Sequence, residues 1–180
     1  DPTIRSQARE FIRAIIDVGG EFKAPAIIGS MQGKAEGDVS REQALTWLAD
    51  ALTDLGAHAA RYGVPLLYEP LNRYETNLFN RLVPAAEFLD ERGLENVVLL
   101  ADLFHMNIEE KNQAAAILKA GKHLGHFHAC GTDRGTPGGD SLDWKPIVGA
   151  LKKIGYKQDV VIESFTTDVK VIARAAIQPS

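Results

Sequence analysis

Glu69, Asp102, His128 and Glu163 set the chemistry open to this sequence. They follow one another at separations of 33, 26 and 35 residues. Each stands at or beside the end of a short apolar run: Leu66-Leu67-Tyr68, Val97-Val98-Leu99-Leu100-Ala101, Leu124 to Ala129, and Asp159-Val160-Val161-Ile162. Three carboxylates brought to one point repel each other unless a proton or a cation intervenes. Three carboxylate oxygens with one imidazole nitrogen suit a hard or borderline divalent ion, Mn²⁺, Mg²⁺ or Co²⁺. A structural zinc prefers thiolates and imidazoles. Taken singly, each residue need only cap the next helix or face water. At four successive strand ends they read as a metal centre.

For these side chains to meet, the chain between them must return to the same edge each time. Apolar spacing predicts a helix over Thr3 to Val18 with Gly19 and Gly20 as its stop, then a strand over Ala24 to Ile28. A loop with Gly29, Gly33 and Gly37 follows. Ser40, with Gln43 three residues on, opens a long helix that Gly63 ends. Strand Leu66 to Tyr68 leads to a helix from Leu82 to Arg92, with Pro84 in its first turn. The remaining units are strand Val97 to Ala101 with helix Ala114 to Lys119, strand Leu124 to Ala129 with helix Trp144 to Ile154, and strand Asp159 to Ile162 with helix Asp168 to Ala176. The strands lack polar alternation, as in a parallel sheet covered by helices. The expectation is one α/β domain over residues 1–180, a (β/α)8 barrel of which the chain supplies the C-terminal five strand–helix units. Eight units need about 250 residues. In such a barrel every strand end named above lies on one face. A doubly wound open sheet competes, but no Gly-x-Gly-x-x-Gly turn supports a dinucleotide site.

Composition narrows the partners. The chain has 180 residues, 45% hydrophobic and 24% charged, which suits a packed core and argues against disorder. A net charge of −4 without a basic block gives a phosphate backbone nothing to bind, so no nucleic-acid partner is expected. The single Cys130 forbids an internal disulfide and fits a reducing, cytoplasmic setting. No apolar run approaches the ~18 residues of a membrane span, and no secretory signal opens the chain. The first residue is Asp1 rather than Met, so upstream units are expected.

Longer motifs carry a resemblance. Tyr68-Glu69-Pro70-Leu71-Asn72-Arg73-Tyr74-Glu75-Thr76-Asn77 resembles the strand-five motif of the ketose 3-epimerases, the tagatose/psicose branch of the xylose-isomerase-like sugar isomerases. Asp102-Leu103-Phe104-His105-Met106-Asn107-Ile108-Glu109-Glu110 is similar to their strand-six motif. Gly125-His126-Phe127-His128, followed by Asp133-Arg134-Gly135-Thr136-Pro137-Gly138, resembles strand seven, and Val161-Ile162-Glu163-Ser164-Phe165 resembles strand eight. The resemblance implies that Glu69, Asp102, His128 and Glu163 bind one divalent ion, Mn²⁺ first, with Glu69 and Glu163 also the acid/base pair. It implies that Glu75, His105 and Arg134 hold sugar oxygens near C1 to C3. The implied reaction is epimerisation of a ketose at C3 through an enediolate. The same parts serve an aldose–ketose isomerase, and a polyol dehydratase or hydroxy-keto-acid isomerase belongs to the same superfamily. Its DNA-repair endonucleases would need more histidines and a basic groove. A non-catalytic carbohydrate-binding or structural fragment is the reading from another class. A small sugar is the expected partner, and a homo-oligomer is left open.

Other residues have plainer expectations. His105 falls in a loop past the strand, either facing the sugar or facing water, and Arg134 in a Gly/Pro-rich loop. His126 shares a strand face with His128 one layer deeper. Cys130 is a small buried filler, and Trp144 a packing anchor. His58 and His123 meet solvent. Tyr74 and Phe104 are candidate pocket walls.

Overall fold

The computed structural model describes residues 1–177. Helix α1 (Pro2–Glu21) is followed by strand β1 (Ile27–Ile28) and a 3-10 turn (Ser30–Gln32), and a second 3-10 turn (Gly121–His123) precedes the fourth strand. Helix α2 (Arg41–Ala60), strand β2 (Leu66–Tyr68), helix α3 (Leu82–Glu91) and strand β3 (Val97–Asp102) come next. Then follow α4 (Leu103–Glu109), α5 (Gln113–Ala120), β4 (Leu124–Ala129), α6 (Trp144–Lys153), β5 (Val160–Ile162) and α7 (Val169–Ile177). All strand pairs are parallel, in the order β1-β2-β3-β4-β5. A doubly wound sheet reverses its order at a switch point. Here the order follows the chain without reversal, as in an arc of a barrel. The open-sheet competitor is thereby set aside.

Local chemistry accounts for most boundaries. Ser40 caps α2, its Oγ accepting the Gln43 N–H at 3.1 Å. Gly63 and Gly93, at φ +70° and +59°, adopt the left-handed backbone that ends the helices before them. Gly19 and Gly20 differ from expectation: α1 runs through them to Glu21. Their role is close approach rather than termination. A Cβ on Gly20 would lie 2.3 Å from Tyr62 Cγ, so the ring packs directly on the α1 backbone. Strand β1 keeps only two residues of the Ala24 to Ile28 run.

Helix α4 is absent from the sequence reading, which placed these residues in a loop. Asp102 caps it, with Oδ1 accepting the N–H groups of Phe104 at 2.8 Å and His105 at 3.3 Å. The core lies between the sheet and its helices, with Leu52, Leu55, Leu66, Leu99 and Ile117 fully buried. Each such side chain contributes roughly 1.5–3 kcal/mol on burial. The arc is not closed. Val160 and Val161 on edge strand β5 are exposed, as are Ile4, Phe11, Ile15 and Val18 on α1. No helix among the described residues is long and apolar enough to cross a membrane.

Candidate functional site

Glu69 follows the last residue of β2 and anchors to β1 through its N–H, which donates to the Ile28 carbonyl at 3.0 Å. Gln32 holds the turn from below. Its Nε2 donates to the carbonyls of Gly29 at 2.9 Å and Glu69 at 3.0 Å, while its Oε1 accepts from the Tyr68 hydroxyl at 2.7 Å. The Glu69 carboxylate lies against the Gly29 backbone, where a Cβ would come within 2.6 Å of Oε2. Gly29 and Gln32 thus shape the site although sequence reasoning assigned them nothing. The available signal was their place immediately after the first strand, where site residues gather in a parallel barrel.

Asp102 and His128 are paired across β3 and β4. Both are buried. The His128 Nδ1 lies 3.3 Å from Asp102 Oδ2 and 3.2 Å from Glu163 Oε2. Glu163 reaches this point because its N–H donates to the Ala129 carbonyl at 3.1 Å, extending the β4–β5 pairing. Asp102, His128 and Glu163 each offer a ligand atom within 4.8 Å of the others. Glu69, Asp102 and His105 form a second such group sharing Asp102. The four residues expected at one ion therefore fall into two overlapping groups joined at Asp102.

Arg134 supplies positive charge in this arrangement. Its Nη2 donates to Glu163 Oε2 at 2.6 Å, and its Nη1 lies 3.4 Å from Asp102 Oδ1. The guanidinium sits between the rings of Phe104 at 4.6 Å and Phe165 at 4.7 Å. Both distances are within cation–π range. Its backbone has φ +64°, left-handed for a residue with a Cβ, and the Gly131 carbonyl accepts its N–H at 3.0 Å. Such a conformation persists where the surroundings impose it. Phe104 is therefore a stacking partner of Arg134.

His105 does not face water. Helix α4 carries it inward, 3% exposed, with Nε2 3.8 Å from Glu69 Oε1. Glu75 is half-exposed beside it, 3.8 Å from His105 Nδ1. The loop bearing Glu75 is tied to the ring by Asn72, a buried residue that the sequence reading passed over within its own motif. Tyr74 is 78% exposed and forms no enclosed wall. Cys130 is buried and its thiol donates to Asp102 Oδ1 at 3.5 Å. The rings of His126 and His128 meet edge-on at 5.1 Å. Trp144 packs against the core. His58 and His123, expected in solvent, instead meet Asp17 at 2.5 Å and Asp90 at 2.9 Å.

The electrostatics follow from this crowding. Burial, reinforced by the charge of Asp102, pushes Glu69 up to about 8. Burial also works against the charge on His128, but the carboxylates of Asp102 and Glu163 close beside it override this and raise the ring to about 9. Asp102 is buried too, yet its contacts with His128 and Glu163 and the charge of Arg134 hold it well below the usual carboxylate range. Burial lowers His105. Asp102 Oδ2 and His128 Nδ1 are buried with no hydrogen-bond partner among the described residues. Unpartnered buried polar atoms are costly. Once a cation displaces its proton, the imidazole nitrogen facing two carboxylates is the donor set of a divalent ion, and the residues fit one.

The sequence profile described as "Xylose isomerase-like TIM barrel" matches residues 1–178. An L-ribulose 3-epimerase of Methylomonas sp. (strain DH-1) is 36% identical over 173 residues, 94% of this chain and 60% of that protein. A probable ketose 3-epimerase of Synechocystis sp. is 38% identical over 167 residues, 90% of this chain and 54% of that protein. The crystal structure of a D-allulose 3-epimerase from Methylomonas sp. superposes with a TM-score of 0.84 at 33% identity, covering 98% of this chain and 62% of that one. The chain thus spans little more than half the length of the curated relatives it matches.

Proposed function

Because the chain belongs to the xylose isomerase-like TIM-barrel family, we propose that the protein epimerises a ketose at C3, with Glu69 and Glu163 as its acid/base pair. The observation that carries this reading is the pair of unpartnered buried atoms, Asp102 Oδ2 and His128 Nδ1, facing each other beside Glu163. Glu69, Asp102, His128 and Glu163 would hold a divalent ion, Mn²⁺ first, which when bound would polarise the C2 carbonyl and offset the charge of the enediolate.

The rest belongs to this chain's own side chains. The C3 proton, acidified by the adjacent carbonyl, passes to one carboxylate on one face of the sugar. The second group, a protonated carboxyl, gives its proton to the other face and becomes a carboxylate, inverting the centre. In the metal-free site burial raises Glu69 to about 8. The Arg134 fork and the His105 ring supply donors to sugar oxygens, and Glu75 supplies an acceptor. A small sugar is the substrate, and the free Cys130 suits a reducing cytoplasm. The test is a panel of free and phosphorylated ketoses with the Mn²⁺-reconstituted protein in D₂O. Deuterium entering at C3 together with formation of the C3 epimer is the expected result. Exchange confined to C1 with aldose formation would replace this reading with aldose–ketose isomerisation.

A further inference from the structure

We propose that Asn72 is a positioning residue that fixes His105 as its Nε2–H tautomer, turning the ring into a hydrogen-bond donor beside Arg134. The consequence for catalysis rests on the epimerase reading; the tautomer itself rests on hydrogen bonding alone. The Asn72 backbone N–H points at His105 Nδ1 from 3.1 Å. A backbone N–H only donates, so Nδ1 must offer its lone pair and carry no proton. The side chain adds to this. Asn72 Oδ1 accepts the Tyr74 N–H at 3.0 Å, which assigns the two ends of the amide. The remaining end, Nδ2, therefore faces both His105 Nδ1 at 2.8 Å and Glu75 Oε1 at 2.9 Å. Donors from one residue thus converge on the ring nitrogen, and the same amide group restrains Glu75. Both Asn72 and His105 are sealed from water, at 2% and 3% exposure, so no solvent competes for these bonds.

The proton is left on Nε2, and its surroundings give it a use. Arg134 Nη1 also turns a donor toward Nε2, from 3.4 Å. The donors at Nδ1 are closer, at 2.8 and 3.1 Å, and a neutral ring accepts at only one nitrogen, so the closer pair decides. Glu69 Oε1 lies 3.8 Å from Nε2. A guanidinium has no acceptor, so with Nε2 protonated these two groups cannot bond to each other. They form instead a pair of donors whose common need is an oxygen placed between them. Donor pairs of this kind stabilise charge developing on a substrate oxygen. The opposite tautomer would direct a lone pair at that oxygen and leave Nδ1–H facing two donors. Asn72 acts in this scheme without touching the sugar.

The experiment is long-range ¹H–¹⁵N NMR of the ¹⁵N-histidine-labelled protein without substrate, with His105 assigned by its loss in His105→Gln. The expected wild-type pattern has Nδ1 in the far-downfield position of an unprotonated nitrogen and Nε2 protonated. Asn72→Asp keeps the shape and the Oδ1 acceptor and leaves the backbone N–H in place, but it exchanges the Nδ2 donor for an acceptor facing the ring, so the Nδ1 signal should move from the unprotonated toward the protonated position. Turnover should then fall ~10²-fold or more, as when a donor to a developing oxyanion is removed. A wild-type ring protonated at Nδ1 would overturn the proposal, and so would an unchanged pattern in Asn72→Asp. If that variant fails to fold, the wild-type spectrum still decides. Because the spectrum needs no sugar, it stands apart from whether the protein epimerises any ketose.

Discussion

Replacing Gly29 with Ala places a methyl group 2.6 Å from Glu69 Oε2, where ordinary contact begins near 3.4 Å. The φ of −113° at Gly29 does not itself call for glycine, so the conflict falls on the carboxylate. Glu69 cannot yield freely, because its backbone is held by the Ile28 carbonyl and by Gln32. Restoring contact moves the oxygen by close to an ångström. A displacement of about 1 Å in a reacting group can cost ~10²-fold in rate. Turnover of Gly29→Ala should therefore fall ~10- to 100-fold, and Mn²⁺ affinity should weaken with it. Gly149 in α6 is the control, since a Cβ there meets nothing within 4 Å. Gly149→Ala should keep full activity and gain up to about 1 kcal/mol of stability from helix propensity. The assay is epimerisation rate at saturating ketose, with a metal titration and a melting curve for each variant. A Gly29→Ala protein with wild-type turnover and wild-type metal affinity would refute the claim that this backbone approach places Glu69.

Metal affinity should rise with pH. In the metal-free site Glu69, raised to about 8, and His128, raised to about 9, both hold protons at neutral pH, and a metal must displace them. Affinity should climb through neutrality, level off above about pH 9, and be accompanied by proton release in calorimetry run in two buffers of different ionisation enthalpy. An affinity independent of pH would show that these groups are not ligands. Residues 1–180 expressed alone should self-associate, because β1 and β5 are open edges and the apolar outer face of α1 is bare. A monodisperse monomer by light scattering would count against the open-arc account.

The strand–helix order was legible because the β-strands are mostly apolar and several helices carry their own punctuation. Ser40 and Gly63 mark α2, and Gly93 closes α3, by chemistry visible in single residues. The strand ends were legible for the same reason, as Glu69, Asp102, His128 and Glu163 interrupt apolar runs. What escaped notice depends on distance through space. Gly19 and Gly20 read as a helix stop, since nothing local reveals the Tyr62 ring packed on Gly20. Helix α4 escaped because it follows β3 without a turn, and Asp102 serves as strand end, cap and site residue together. His105 read as a loop residue for that reason. The partners of His58 and His123 lie 41 and 33 residues away, beyond any local pattern. Gly29 acts through its backbone, and Asn72 through its backbone N–H and an amide whose partner His105 is 33 residues away, which residue type alone does not announce.

The most direct test of the central claim is C3 proton exchange in D₂O catalysed by Glu69→Gln and Glu163→Gln, each shown to retain its metal. Both changes keep size and a metal-capable oxygen and remove the exchangeable proton. Net epimerisation should fall at least ~10²-fold in each, the usual contribution of a general acid or base. Each variant should still wash the C3 proton of one epimer into solvent, and the two variants should favour opposite epimers. If one variant loses exchange with both epimers while the other keeps exchange with both, a single carboxylate moves the proton, and two-base epimerisation is contradicted.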